Sequence, residues 1–173
     1  MNIIIIGMPN SGKTTIAYEL ARKIGYKAID IDRLIEKEAG MSINEIFRKF
    51  GEEDFRHRET LACERVARLD KRVIATGGGT VMREENMNFL KNRGYVIYLK
   101  RPLEFLKTNL DTSRRPLLRA EGDPMTKLYN QRAPLFEKYC DMTMKTDKSV
   151  FLMCKEIKRR LKVQGVIKWK RWL

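Results

Sequence analysis

Short apolar runs rich in β-branched residues recur along the chain at 2–7 (NIIIIG), 27–31 (KAIDI), 72–78 (RVIATGG), 95–100 (YVIYLK) and 141–146 (DMTMKT). Runs of this length and composition read as strands. Between them lie stretches compatible with helices: 13–24, 33–39, 43–69 with a break near Gly51, 83–92, 102–110, 124–139 and 149–163. Strands that alternate with helices predict an α/β fold, in which parallel strands are covered on both faces and joined by right-handed crossovers. Local signals agree with these boundaries. Ser42 with Glu45 forms a capping box, Asp123 before Pro124 reads as an N-cap and first helical residue, and Gly94 suits a helix C-cap.

A chain of 173 residues fits one domain with a real core, and there is no internal repeat. With 43% apolar and 34% charged residues it reads as a folded cytosolic protein. No apolar run approaches the roughly 20 residues that span a bilayer, so neither a signal peptide nor a membrane anchor is expected. Cys63, Cys140 and Cys154 are odd in number and form no CxxC pair, which predicts small buried hydrophobes rather than disulfides or a zinc site. The single histidine, His57, stands in the basic run FRHRE with no triad partner suggested by spacing, and reads as a surface or helix-packing residue rather than a general base.

The formal net charge is +14. Much of it is C-terminal: residues 145–173 hold ten Lys or Arg against two acids, a net +8. The positive remainder suits a site for anions. No nucleic-acid motif accompanies the tail, and its end, VIKWKRWL, reads as a short amphipathic helix that packs Trp169 and Trp172 on the body, or as a disordered segment, rather than as an interaction tail.

The chemistry begins at Gly7–Thr14, GMPNSGKT, which fits GxxxxGK[ST] and lies between a strand and a helix as a P-loop requires. In such a loop backbone N–H groups wrap phosphate oxygens. Asn10, Ser11, Gly12, Lys13, Thr14 and Thr15 are therefore the candidate nucleotide contacts: Lys13 reaches the β and γ phosphates and Thr14 offers its hydroxyl to Mg²⁺. Phosphoryl transfer further needs a metal ligand, a group that positions the acceptor hydroxyl, and cations to spread the transition-state charge. Asp30 and Asp32 follow the second strand, where alternation along an extended segment puts both carboxylates on one side, though Asp32 could instead be a plain N-cap. Gly77, Gly78 and Gly79 follow the third strand and suggest close backbone approach to a ligand, or a tight turn alone. Arg56, Arg114, Arg115 and Arg132 could converge on anionic groups, since guanidinium binds carboxylate and phosphate bidentately, or be solvated surface residues. Asp111–Asp123 lacks a clear period, and a loop this long in a small domain is usually functional.

Together these motifs resemble the shikimate kinases, P-loop kinases of the nucleoside monophosphate kinase type. The resemblance runs from Asn2 to about Thr146 and rests on GMPNSGKT, DID followed by LIE, SINEIFRKFGEEDFRHRE, ATGGGTV, RRPLL and DPMTKLYNQRAPLFEKYCD, in family order. It implies transfer of the ATP γ-phosphate to the 3-hydroxyl of shikimate, with Mg²⁺, in the synthesis of chorismate and the aromatic amino acids. The implied fold is a three-layer P-loop kinase domain, a five-stranded parallel sheet flanked by helices, with a substrate-binding region around 32–60 and a mobile lid around 111–122. The implied roles are as follows. Asp32 holds the acceptor hydroxyl and can take its proton, and Asp30 orients Mg²⁺ through water. Arg56 and Arg132 clamp the shikimate carboxylate, Gly78 and Gly79 add backbone contacts, Glu59 positions Arg56, and Arg115 swings in with the lid. A monomer in the cytoplasm, with shikimate as its small-molecule partner and neither nucleic acid nor membrane, completes the expectation.

The chain departs from the family pattern on the adenine side. Lys107 and Thr108 stand where an arginine often stacks on the base, and Lys148 with Ser149 stands where another arginine is found. Two other functions compete: a related kinase for another small hydroxy acid, such as gluconate or a cyclitol, and a nucleotide-gated binding module that uses the basic tail.

Overall fold

Five parallel strands, β1 (Asn2–Ile6), β2 (Lys27–Asp30), β3 (Arg72–Ala75), β4 (Gly94–Lys100) and β5 (Met142–Lys145), form one sheet in the order β2-β3-β1-β4-β5. They come from a computed structural model that describes residues 1–108, 116–118 and 122–168. Seven helices occupy the described residues: α1 (Lys13–Ile24), α2 (Ile31–Ala39), α3 (Ile43–Ala67), α4 (Glu84–Asn92), α5 (Leu103–Lys107), α6 (Pro124–Tyr139) and α7 (Val150–Val163). The expected α/β architecture is borne out.

The period of two along β1 explains the layering. Ile4 and Ile6 enter one core with residues of α2, α3, α4 and α6, while Ile3 and Ile5 enter the other with residues of α1 and α7. Successive side chains of a strand point to opposite faces, so an unbroken isoleucine run suits only a strand buried on both sides. The central position of β1 between β3 and β4 places its C-terminal end, and the loop after it, at the point where strand order reverses. Open α/β sheets bind ligands at that point.

The capping signals divide. Ser42 and Glu45 make the full capping box on α3, and Asp123 caps α6 through Thr126 N–H. Gly94 is not a C-cap: it is the first residue of β4, and the C-cap of α4 is Arg93. Glycine serves there because a Cβ would come within 2.4 Å of the Leu90 carbonyl oxygen and 2.7 Å of Ile4 Cγ1. Two short 3₁₀ turns, Thr80–Met82 and Pro116–Leu118, were not expected.

α3 bends at Gly51, whose φ of 84° and ψ of 173° lie outside helical space. The bend swings the second half of α3, with Arg56 and Glu59, under the glycine triplet. Cys63 and Cys154 are buried as predicted, but Cys140 is only half-buried at the end of α6. His57 is exposed.

Residues 164–168 form no helix. Gly165 turns with a positive φ, the Val166 N–H donates to the Leu161 carbonyl, and Ile167 packs into the α1/α7 core. The docking residue is Ile167; Trp169 and Trp172 lie outside the described residues.

Candidate active site

Three loops leave the C-terminal ends of the neighbouring strands β2, β3 and β1 toward the same edge of the sheet, and each carries part of the site. The first, after β1, is the P-loop. Asn10 and Gly12 take left-handed φ values of 65° and 87°, a backbone form that aims successive N–H groups into one concavity. No side chain caps α1, whose N-cap is Gly12, so its first N–H groups face outward for an anion. A Cβ on Gly12 would meet nothing within 4 Å, and the buried hydroxyl of Ser11 has no hydrogen-bond partner among the described residues. Lys13 folds its ammonium back to donate to the Met8 carbonyl at 2.8 Å, which places the cation at the mouth of the loop. These features fit a polyphosphate.

The second loop begins at Asp30. The Thr14 hydroxyl donates to Asp30 Oδ2 at 2.5 Å, while Asp30 Oδ1 accepts from Arg33 N–H and caps α2. This corrects the alternation argument. The helix starts at Ile31, so Asp32 stands in the first turn of α2 rather than on an extended segment, and the N-cap is Asp30 rather than Asp32. A hydroxyl and a carboxylate are hard oxygen donors that fit Mg²⁺, which usually takes one or two protein oxygens and completes its shell with water and phosphate. No group of three or more His, Cys, Asp or Glu that could hold a metal occurs among the described residues.

The third loop is the glycine triplet after β3. A Cβ on Gly77 would lie 2.7 Å from Glu59 Oε1 and 2.8 Å from Asp32 Oδ1; one on Gly78 would strike Pro9; one on Gly79 would sit 2.5 Å from Arg56 Nη1. The triplet therefore makes room first for the side chains of the site itself and for the P-loop, where close approach to a ligand was expected.

Below it lies a buried network. Glu59, wholly shielded from solvent, accepts from Arg56 Nη1 at 2.8 Å and from the Thr80 hydroxyl at 2.6 Å. Glu52 holds the other side of the Arg56 guanidinium at 3.2 Å. Burial pulls the Arg56 pKa down, but Glu59 and Glu52 outweigh it and the net movement is upward. Arg132, from α6, is 5% exposed and its Nε has no hydrogen-bond partner among the described residues. Burial, and behind it the like charge of Arg56, lowers its pKa to about 10.

Lys13, Asp32, Arg56, Glu59, Gly77, Gly78, Gly79 and Arg132 all line one cavity of about 100 Å³. Phe47, Phe55, Leu117, Leu118 and Leu128 supply apolar wall. A pocket with two arginines, a carboxylate and an apolar side, opening on a phosphate cradle, suits a small hydroxylated carboxylic acid beside a nucleotide triphosphate.

Some predicted residues stand apart. Thr15 is exposed on α1, and Lys148 is exposed in the turn before α7, where Ser149 is the N-cap. Arg114, Arg115 and most of the 111–122 segment lie outside the described residues. Sequence reasoning missed Glu52, although the spacing of Glu52, Arg56 and Glu59 is that of helical ion pairs. It also missed Thr80, directly after the glycines, and Arg101, directly after β4. The aromatic wall of Phe47 and Phe55, rings 5.0 Å apart, was missed as well.

Comparison with known proteins agrees with this geometry. A family model described as shikimate kinase matches residues 9–162. A shikimate kinase of Clostridium botulinum (strain Alaska E43 / Type E3) is 38% identical over 157 residues, covering 91% of this chain and 94% of the relative. One from Caldanaerobacter subterraneus is 40% identical over 170 residues, covering 95% and 98%. The solved structure of shikimate kinase from Acinetobacter baumannii in complex with shikimate superposes with a TM-score of 0.89 at 33% identity, covering 96% of this chain and 95% of that one. Fold, site and relatedness over nearly the whole length lead to one assignment: the chain belongs to the shikimate kinase family.

Proposed function

We propose that this chain transfers the γ-phosphate of ATP to the 3-hydroxyl of shikimate. The reading is carried by one observation above all: Lys13 of the P-loop, Asp32, Arg56 and Arg132 line the same cavity. The two arginines take the acceptor's carboxylate, and the network behind Arg56 keeps that side chain from swinging away. Asp32 accepts a hydrogen bond from the reacting hydroxyl and orients it, and it can take the proton as the new P–O bond forms and the bond to the leaving ADP breaks. Lys13 and the P-loop N–H groups hold the phosphate oxygens in line with that hydroxyl.

Thr14 and Asp30 are the residues that would hold Mg²⁺, whose chemistry is to neutralise charge between the β and γ phosphates. Arg115 is the proposed cation brought in over the transferring group, within a lid around 111–122. Thr15 and Lys148 are proposed to lie along the nucleotide, and 32–60 to form the acceptor-binding region. The chain is proposed to work as a single P-loop kinase domain and a cytoplasmic monomer. No helix among the described residues is long and apolar enough to cross a membrane.

A coupled assay with ATP, Mg²⁺ and shikimate tests the function: turnover is expected with shikimate and not with gluconate. Asp32→Asn should lose at least a hundredfold in kcat while binding of a non-hydrolysable ATP analogue survives. Absence of turnover with shikimate, or full activity of the Asn variant, refutes the reading.

A further inference from the structure

Asn10 meets two structural demands at once. Its φ of 65° is one of only two positive values at non-glycine residues among those described, and asparagine is among the few side chains that tolerate that region. Its side-chain amide donates to the carbonyls of Leu106 at 3.1 Å and Thr108 at 3.0 Å. These carbonyls end α5, a helix of five residues, where terminal acceptors have no intrahelical partner. A primary amide has two N–H donors for two acceptors. Glycine offers the φ but no donor, and aspartate offers tolerance of the φ but only acceptors.

The tie has a second side. The Asn10 carbonyl accepts from Arg101 Nη1 at 3.3 Å, and Arg101 immediately follows β4. The Nε of Arg101 is buried and has no hydrogen-bond partner among the described residues, while Nη1 of the same guanidinium makes the contact to the Asn10 carbonyl. α5 itself is anchored by Leu106, which is fully buried. The left-handed turn of the phosphate cradle is thus held by the residue that follows β4 and by the end of α5, nearly a hundred residues away in sequence.

We propose that Asn10 and Arg101 are positioning residues for the nucleotide: they clamp the P-loop in its left-handed form, so that its N–H groups converge before a triphosphate arrives. Neither acts on the acceptor. The proposal rests on reading the P-loop as the ATP site. Removing the clamp leaves every phosphate-contacting N–H in place and costs only the organisation of the loop. Its effect therefore falls on nucleotide affinity.

The test uses the full chain with Asn10→Gly, Asn10→Asp and Arg101→Met. Each variant is expected to raise the KM for ATP and the Kd for a non-hydrolysable ATP analogue by about five- to tenfold, the scale of one or two lost hydrogen bonds. The KM for shikimate stays within about twofold. Amides of 103–108 exchange faster in the Asn10 variants, and the Asn10→Gly/Arg101→Met double variant loses less than the product of the single losses. Nucleotide affinity of the wild type in Asn10→Asp, or a fall in melting temperature with both KM values unchanged, overturns the proposal. Failure of the unmodified chain to bind the analogue at all would instead refute the ATP-site reading.

Discussion

Arg56 and Arg132 line one cavity in opposite electrostatic conditions. Arg56 is bound on both sides, by Glu59 at 2.8 Å and Glu52 at 3.2 Å. Arg132 is buried and forms no ion pair among the described residues, and burial and the charge of Arg56, only partly offset by Glu59 and Glu52, lower its pKa to about 10. One arginine is a fixed part of the wall, and the other is a cation held ready for an anion.

Removing the two arginines should therefore have different consequences for stability. Arg132→Met is expected to leave the melting temperature unchanged or raise it, because a desolvated cation disappears. Arg56→Ala should cost about 3 kcal/mol, since it strands the buried Glu59 carboxylate. Both variants should lose at least a hundredfold in kcat/KM for shikimate with the KM for ATP little changed. Denaturant melts and steady-state kinetics on the pair decide this, and equal destabilisation would contradict the contrast.

Gly79→Ala offers a way to disturb the acceptor side without touching a charge. Its methyl group would fall 2.5 Å from Arg56 Nη1 and 2.6 Å from Nη2, which forces the guanidinium aside. The KM for shikimate should rise by at least tenfold while binding of an ATP analogue, measured by titration, is retained.

Gly51→Ala tests the bend in α3. A φ of 84° with ψ of 173° is open only to glycine, and strain of this kind is worth about 1–3 kcal/mol. The variant should melt earlier and bind shikimate more weakly, because straightening the helix moves Arg56 and Glu59 together. Unchanged stability by calorimetry would show that the bend carries no strain.

The thiols should react in order of burial. Burial pushes the Cys154 thiol up to about 11, and burial, with Glu59 and Asp32 behind it, pushes Cys63 well above the usual thiol range. A thiol-specific reagent at pH 8 should label Cys140 first and the other two only as the chain opens. Both buried thiols have folded pKa values above their unfolded ones. They therefore support the native state fully below about pH 9, and the share of Cys154 is lost as pH rises through about 11. Urea midpoints measured from pH 8 to 11 should fall accordingly, and less so in Cys154→Ala.

Local chemistry was readable from the chain alone. Isoleucines in a row specify a strand buried on both faces; Ser42 with Glu45 and Asp123 with Pro124 specify helix starts; and GMPNSGKT specifies a phosphate cradle, because in each case the residues that interact are within about five positions of one another. The candidate residues of the acceptor pocket were also legible as types, a carboxylate and arginines in motifs that resemble a known family.

What tertiary structure alone decided is which of those side chains meet. The bend at Gly51 aims Arg56 at Gly79, the helix start at Ile31 puts Asp32 in a first turn rather than on a strand, and the spare volume of Gly77 is taken by Glu59 and Asp32. The tie from Asn10 to Leu106 and Thr108 spans nearly a hundred residues. None of these has a sequence period, because each depends on how layers pack across the sheet, and packing is set by the sum of many distant contacts rather than by any neighbouring residue.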